Sequence, residues 1–303
     1  MTAPAADAFR SGFACFVGRP NVGKSTLTNA LVGSKIAIMS DRPQTTRHAV
    51  RGIVNRPDAQ LVVVDTPGFH KPRTLLGERL NDIVLTTLAE VDVIGFCVAA
   101  DDPVGPGDRF IAAQLAEVAA RTPVLAIVTK TDAVRREVVA ERLVEASEAG
   151  EWADVVPVSA KDGFQVDLLA DLLVQRLPLG RPLYPEGELT DEPERVMVAE
   201  LVREAALAGV RDELPHSIAV VVEEMGPAEG RDDVLHVEAV MYVERESQKG
   251  IVIGTGGSRL REVGTQARRQ VEALLGTKVF LDLRVKVAKD WQRDPKQLRR
   301  LGF

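Results

Sequence analysis

Aromatic residues make up only 4% of this 303-residue sequence, and cysteine occurs twice, as Cys15 and Cys97. Both cysteines sit inside apolar runs, which excludes a disulfide framework and reads as two reduced core residues. The four histidines, His48, His70, His216 and His236, stand in unlike contexts and make no metal cluster. No apolar stretch approaches the roughly 20 residues needed to span a bilayer, and the alanine-rich start lacks the apolar region of a signal peptide. A cytosolic location is therefore expected, with transient contact at a membrane surface left open. What is present is ordinary for a soluble globular protein: 45% apolar and 27% charged residues with a net charge of −6. The charge is uneven. Residues 245–303 carry 14 Lys and Arg against 6 Asp and Glu, a balance of +8, which leaves −14 for residues 1–244. A polyanionic partner is to be sought at the basic end.

The length suits two domains. After a tail at residues 1–11, residues 12–176 alternate apolar strands with amphipathic helices, the pattern of an α/β fold with a mostly parallel sheet covered on both faces. Strands are predicted at 13–17, 49–55, 61–64, 93–98, 124–128 and 155–157, and helices at 24–31, 76–89, 108–119, 135–149 and 164–173. Residues 177–194, with four prolines among acidic residues, read as a linker. A small α+β domain over 195–303 is predicted beyond it, with helices at 195–208 and 260–275 and strands at 217–223, 235–243 and 278–287.

The chain is organised around Gly18-Arg19-Pro20-Asn21-Val22-Gly23-Lys24-Ser25, between a strand and a helix that continues through Thr26. This is the setting of a phosphate-binding P-loop. Gly18 and Gly23 let backbone N–H groups turn inward, Lys24 is placed to reach the β and γ phosphates, and the Ser25 hydroxyl to reach magnesium. Asp65-Thr66-Pro67-Gly68 follows the apolar strand 61–64, where Asp65 can hold the magnesium, directly or through water, and the Gly68 N–H can sense a γ phosphate. Between them, the polar segment Ser40–His48 reads as a switch loop in which Thr45 or, preferably, Thr46 completes the magnesium shell. Residues 69–75 would be a second mobile segment. Asp132, closing Thr129-Lys130-Thr131-Asp132, can accept hydrogen bonds from guanine N1 and N2, a pattern adenine lacks. Lys130 can cover the purine with its stem, and Ser159-Ala160-Lys161 can offer an N–H to guanine O6.

At the basic end, Ile251-Val252-Ile253 reads as a strand-like run leading into Gly254-Thr255-Gly256-Gly257 and then a helix bearing Arg259, Arg261, Arg268 and Arg269. Such a loop lets a nucleic-acid backbone approach closely, beside an apolar groove that can read unstacked bases. With so few aromatics, Phe280 and Tyr242 read at least as readily as core residues as stacking rings, and reading RNA by groove and hydrogen bonds is expected.

Together these segments resemble the five nucleotide motifs of the translation-factor-related GTPases: the P-loop, Gln44-Thr45-Thr46-Arg47, residues 65–68, 129–132 and 159–161. With the C-terminal half, where 250–268 is similar to a type II KH domain, nearly the whole chain resembles the Era family of bacterial GTPases. The resemblance implies GTP hydrolysis with magnesium, with Asn21, Lys24, Ser25, Thr46, Asp65 and Gly68 at the reacting centre and Ser25, Thr46 and Asp65 on the metal. It also implies binding to the 3′ end of 16S ribosomal RNA, assistance to 30S subunit maturation, and peripheral contact with the inner membrane; a monomer is expected. Thr129 departs from the family's asparagine, and Thr255 stands where a lysine is common. Phe69 occupies the place of a catalytic glutamine, so intrinsic hydrolysis should be slow. In relatives with this pattern a potassium ion completes the site through an asparagine matching Asn21. The competing reading is an RNA-binding assembly factor whose nucleotide site is vestigial.

Overall fold

The computed structural model describes residues 9–40, 45–69, 72, 74–118, 121–208 and 214–303; Gln44 of the switch segment and His70 lie outside them. β1 (Arg10–Val17) opens within the stretch read as a tail. Its side chains alternate: Ala14 and Phe16 enter one buried apolar cluster, Cys15 and Val17 another. A strand whose both faces are apolar must be covered on both. β2 (Val50–Asn55), β3 (Ala59–Asp65), β4 (Val93–Ala99), β5 (Val124–Thr129) and β6 (Asp154–Pro157) complete a sheet of order β2-β3-β1-β4-β5-β6. All neighbours are parallel except β2, which runs antiparallel to β3. The helices between them are α1 (Lys24–Val32), α2 (Leu75–Glu90), α3 (Pro106–Val118), α4 (Arg136–Glu148) and α5 (Val166–Val174).

Contacts divide the chain into two units, the first made of Met1–Ala37, Thr46–Pro72 and Arg79–Asp191. Part of the segment read as a linker docks on this unit: Gln60 accepts at Oε1 from the N–H groups of Leu183 (2.6 Å) and Tyr184 (2.9 Å).

The second unit comprises Ile38–Thr45, Arg73–Glu78 and Glu192–Phe303. In its C-terminal stretch the order is α6 (Glu194–Leu207), α7 (Leu214–Ser217), β7 (Ala219–Ala228), β8 (Arg231–Val243), α8 (Glu246–Ile253), α9 (Ser258–Leu275), β9 (Lys278–Val287) and α10 (Pro295–Arg300). β8 lies central, antiparallel to β7 and parallel to β9. α6 contributes Val198 and Val202 to the core, and α9 contributes Val263, Ala267 and Val271, spaced by four and so on one face. Each fully buried valine is worth about 1.5–3 kcal/mol, enough to hold a helix otherwise rich in charge. Trp291 is fully buried, donates from Nε1 to the Ser217 carbonyl at 3.0 Å and stacks on Phe303, so it is a packing residue.

Two sequence expectations are corrected. Ile251–Ile253 is no strand but the last turn of α8, whose start is held by Gln248 Oε1 accepting from the N–H groups of Glu244 (2.9 Å) and Arg245 (3.0 Å). Phe280 is no core residue: it is 60% exposed, whereas Tyr242 is buried at 4%.

Candidate functional site

β1 runs out into the P-loop over β4. A Cβ on Gly18 would lie 2.4 Å from the Cys97 carbonyl oxygen, so only glycine passes there. Asn21 (φ 64) and Gly23 (φ 94) take left-handed backbone angles that curl the loop before α1 begins at Lys24. The positive end of α1 therefore faces the cradle. Lys24 is buried, and its Nζ donates to the carbonyls of Gly18 (3.2 Å) and Arg19 (3.0 Å). Burial lowers its pKa, with nearby Asp65 opposing, so an anion in the cradle would offset a poorly solvated ammonium. Arg19 is fixed by ion pairs to Asp108 and Asp102, both at 2.8 Å.

Ser25, Thr46 and Asp65, which the sequence reading made metal ligands, come together. Asp65 Oδ2 accepts from Ser25 Oγ at 2.7 Å and from Thr46 Oγ1 at 3.0 Å, and the two hydroxyls are 3.0 Å apart. The Thr45 hydroxyl donates to the Ser40 carbonyl at 3.4 Å. Asp65 is fully buried and its Oδ1 has no hydrogen-bond partner among the described residues. Burial raises its pKa, against the two hydroxyls and Lys24. A buried carboxylate with an unmatched oxygen, flanked by two hydroxyls, is a hard all-oxygen donor set that fits magnesium. Gly68 lies against Pro20, where a Cβ would sit 3.1 Å from its ring and backbone nitrogen. Phe69 is buried and stacks on Phe110 with centroids 6.1 Å apart, turned into the core and unable to orient water.

The two base loops meet beside the P-loop. Thr129 Oγ1 lies 2.5 Å from the Val22 carbonyl and 3.1 Å from that of Val98, so the threonine ties the P-loop to β5 through its hydroxyl. Lys130 adopts φ 56, and its Nζ pairs with Asp101 at 3.1 Å. Ser159 Oγ donates to Asp132 Oδ1 at 2.8 Å, and Lys161 Nζ stands 4.0 Å from Oδ2. One loop thus orients the carboxylate that the other supplies.

In the second unit, Gly254 (φ 71), Gly256 (φ 59) and Gly257 (φ 77) carry the chain from α8 to α9 through angles that disfavour side chains. Beside α9 and the edge strand β9 runs a groove of about 430 Å³, lined by Leu260, Arg261, Gly264, Thr265, Arg268, Val279, Phe280, Leu281 and Leu283. Arg269 lines a separate depression on the flank of α9, with Arg261 between the two. Arg259 is engaged within the protein, by the Ala208 carbonyl and by Glu262 at 3.2 Å. The groove combines apolar walls, two arginines and an exposed ring, the means of holding unstacked bases and their phosphates.

The family model of the 50S ribosome-binding GTPases matches residues 13–130, and that of the KH domain matches 213–292. GTPase Era of Streptomyces coelicolor is 68% identical over 308 residues, covering 99% of this chain and 97% of that protein. The chain belongs to the Era family of GTPases. GTPase Era of Mycolicibacterium smegmatis is 66% identical, covering 97% of this chain and 99% of the relative. Two solved Era structures each share 38% identity and a TM-score of 0.93, covering 97% of this chain and 99% of their own. One is Era with MgGDPNP and nucleotides 1506–1542 of 16S ribosomal RNA; the other is an Aquifex aeolicus Era variant bound to GDP and AlF4−.

Sequence reasoning missed three contributors. Asp108, buried and paired with Arg19, lies too far along the chain to be found by spacing. Asn29 holds the approach to the switch segment, accepting at Oδ1 from Ile36 and Ala37 N–H at 2.9 Å and donating to the Ala37 carbonyl at 2.8 Å. Phe280 was detectable: the two-residue period that buries Val279 turns it outward.

Proposed function

We propose that this chain is a GTP-hydrolysing switch that binds 16S ribosomal RNA near its 3′ end and assists maturation of the 30S subunit. The observation that carries the reading is the meeting of Ser25, Thr46 and Asp65 at the mouth of the P-loop, with one Asp65 oxygen unmatched. A site that had lost nucleotide would have no reason to keep a buried, incompletely paired carboxylate, which is costly unless a cation answers it. The RNA partner rests on the Era structure solved with nucleotides 1506–1542 of 16S ribosomal RNA, similar over 97% of this chain.

Ser25, Thr46 and Asp65 would hold magnesium, which supplies charge neutralisation at the β and γ phosphates. Residues 18–26 cradle the phosphates with backbone N–H groups, and Lys24 exchanges its bonds to the Gly18 and Arg19 carbonyls for phosphate oxygens. Thr66 Oγ1 donates to the Phe16 carbonyl at 2.8 Å, fixing the turn whose Pro67 and Gly68 meet the γ phosphate. Asp132 takes the guanine edge, held by Ser159, while Ala160 and Lys161 supply the N–H for O6. Hydrolysis with these groups alone is slow, since Phe69 is packed away; Asn21 would hold a potassium ion supplying the positive charge that raises it. Gly254–Gly257, Arg261 and Arg268 hold the RNA, with Arg259 and Arg269 at its margins.

Among the described residues no helix is long and apolar enough to cross a membrane. The proposed setting is the cytosol, with peripheral membrane contact, and the proposed state a monomer. Calorimetry with GTP and ATP, followed by hydrolysis in potassium and in sodium chloride at equal ionic strength, tests the nucleotide half. GTP-selective binding with faster turnover in potassium is expected. Equal rates in the two salts remove the role of Asn21, and absence of GTP binding leaves only the RNA-binding alternative.

A further inference from the structure

We infer that Thr129 makes the base pocket indifferent to the purine N7, so that this chain selects guanine by its Watson–Crick edge and accepts guanine nucleotides in which N7 is no longer an acceptor. The inference rests on the GTPase reading above and concerns the same site. A threonine hydroxyl has a single proton. That of Thr129 faces two carbonyl oxygens, Val22 at 2.5 Å and Val98 at 3.1 Å, which can only accept. The proton is spent between them, and toward any third group the oxygen offers lone pairs alone. Thr129 is 4% exposed and β-branched, so turning the hydroxyl away would give up its bonds to both carbonyls and meet a stiff rotamer.

The direction of a bound purine follows from its two ends. Phosphates lie in the P-loop and the N1/N2 edge lies at Asp132, so the ribose-bearing imidazole ring points back toward the P-loop. Thr129 is tied to that loop through Val22 and stands three residues ahead of Asp132, on the imidazole side. The neighbouring polar side chains are engaged elsewhere: Lys130 Nζ with Asp101 at 3.1 Å and Ser159 Oγ with Asp132 at 2.8 Å. N7 thus faces an oxygen rather than a donor. Replacing N7 by C–H removes an acceptor facing an acceptor and costs no hydrogen bond. An asparagine at 129 has two amide protons beside a carbonyl, and can bond Val22 while donating to N7.

The test is titration of the full-length protein, with magnesium, by GTP, 7-deaza-GTP and ATP, repeated for Thr129→Asn. For the unsubstituted protein the Kd values of GTP and 7-deaza-GTP should agree within about twofold. Thr129→Asn should favour GTP over 7-deaza-GTP by about threefold to tenfold, the worth of one net hydrogen bond. A loss of about threefold or more for 7-deaza-GTP on the unsubstituted protein overturns the inference while leaving the GTPase reading intact. That ratio decides the matter even where the variant fails to fold. GTP binding no tighter than ATP overturns the guanine reading itself.

Discussion

Replacing Asp65 with asparagine should leave the fold standing while removing the metal-dependent chemistry. The carboxylate accepts at Oδ2 from Ser25 and Thr46, at 2.7 and 3.0 Å, and has no partner at Oδ1. An asparagine carbonyl can take both hydroxyl protons. Its amide then occupies the place of the unmatched oxygen, and one buried donor without an acceptor costs about 1–3 kcal/mol. Against this stands relief from burying a carboxylate that the protein interior already pushes toward its neutral form. The two effects oppose, so metal-free stability should change by no more than about 2 kcal/mol in either direction. The chemistry has no such offset. With Asp65 as the one anionic side chain proposed for the magnesium, its loss should forfeit several kcal/mol of transition-state stabilisation, roughly a thousandfold in kcat/KM. Urea unfolding without metal, beside hydrolysis over a magnesium titration, separates the two quantities. A variant that hydrolyses GTP within about threefold of the parent at equal magnesium refutes the assignment of Asp65 to the magnesium, given that a carboxylate holding the ion, directly or through water, is worth far more.

Trp291→Ala removes a fully buried ring and its bond to the Ser217 carbonyl, and should cost about 3–5 kcal/mol in denaturant unfolding of the second unit. Phe280→Ala should leave that unfolding unchanged within about 0.5 kcal/mol, the ring being largely exposed. The same substitution should weaken RNA binding by about 1–3 kcal/mol if a base stacks on it; unchanged RNA affinity removes Phe280 from the interface. Arg268→Ala should weaken binding across RNA sequences and lower the salt slope by about one, read from affinities at several salt concentrations. Burial pushes the Cys97 thiol up to about 12, with the Asp65 charge adding to the effect against Lys24. Its folded pKa exceeds the ordinary value of 9.0, so its contribution to stability is complete below 9.0 and is lost as pH rises through about 12. Native protein should accordingly resist thiol reagents at pH near 8, and rapid labelling without unfolding would contradict the burial.

Much of the first unit could be read from sequence because its signals are local. β3 and β4 are buried along their whole lengths, so their apolar runs are strand signals without a competing reading, and the P-loop residues are contiguous in the chain. The meeting of Ser25 with Asp65 follows from a motif pair. Pairings such as Arg19 with Asp108 depend on how α3 packs, which no spacing reveals. In the second unit, Ile251-Val252-Ile253 misleads because β-branched residues favour strands only weakly, and Gln248 at one end and Gly254 at the other override them. Phe280 was misread for a different reason, since rarity of aromatics says nothing about which face of β9 a ring occupies. Thr129 shows the limit of substitution logic. Its sequence identity marks only a departure from asparagine, while the tie to Val22 is made through an oxygen whose position only the fold supplies.

The measurement that bears most directly on the switch is binding of a labelled fragment of the 16S ribosomal RNA 3′ end, beside a scrambled control. Each is titrated with a non-hydrolysable GTP analogue, with GDP and without nucleotide. Tighter binding of the true fragment in the GTP-like state is predicted. Equal affinity for the true fragment with the GTP analogue, with GDP and without nucleotide would contradict the account.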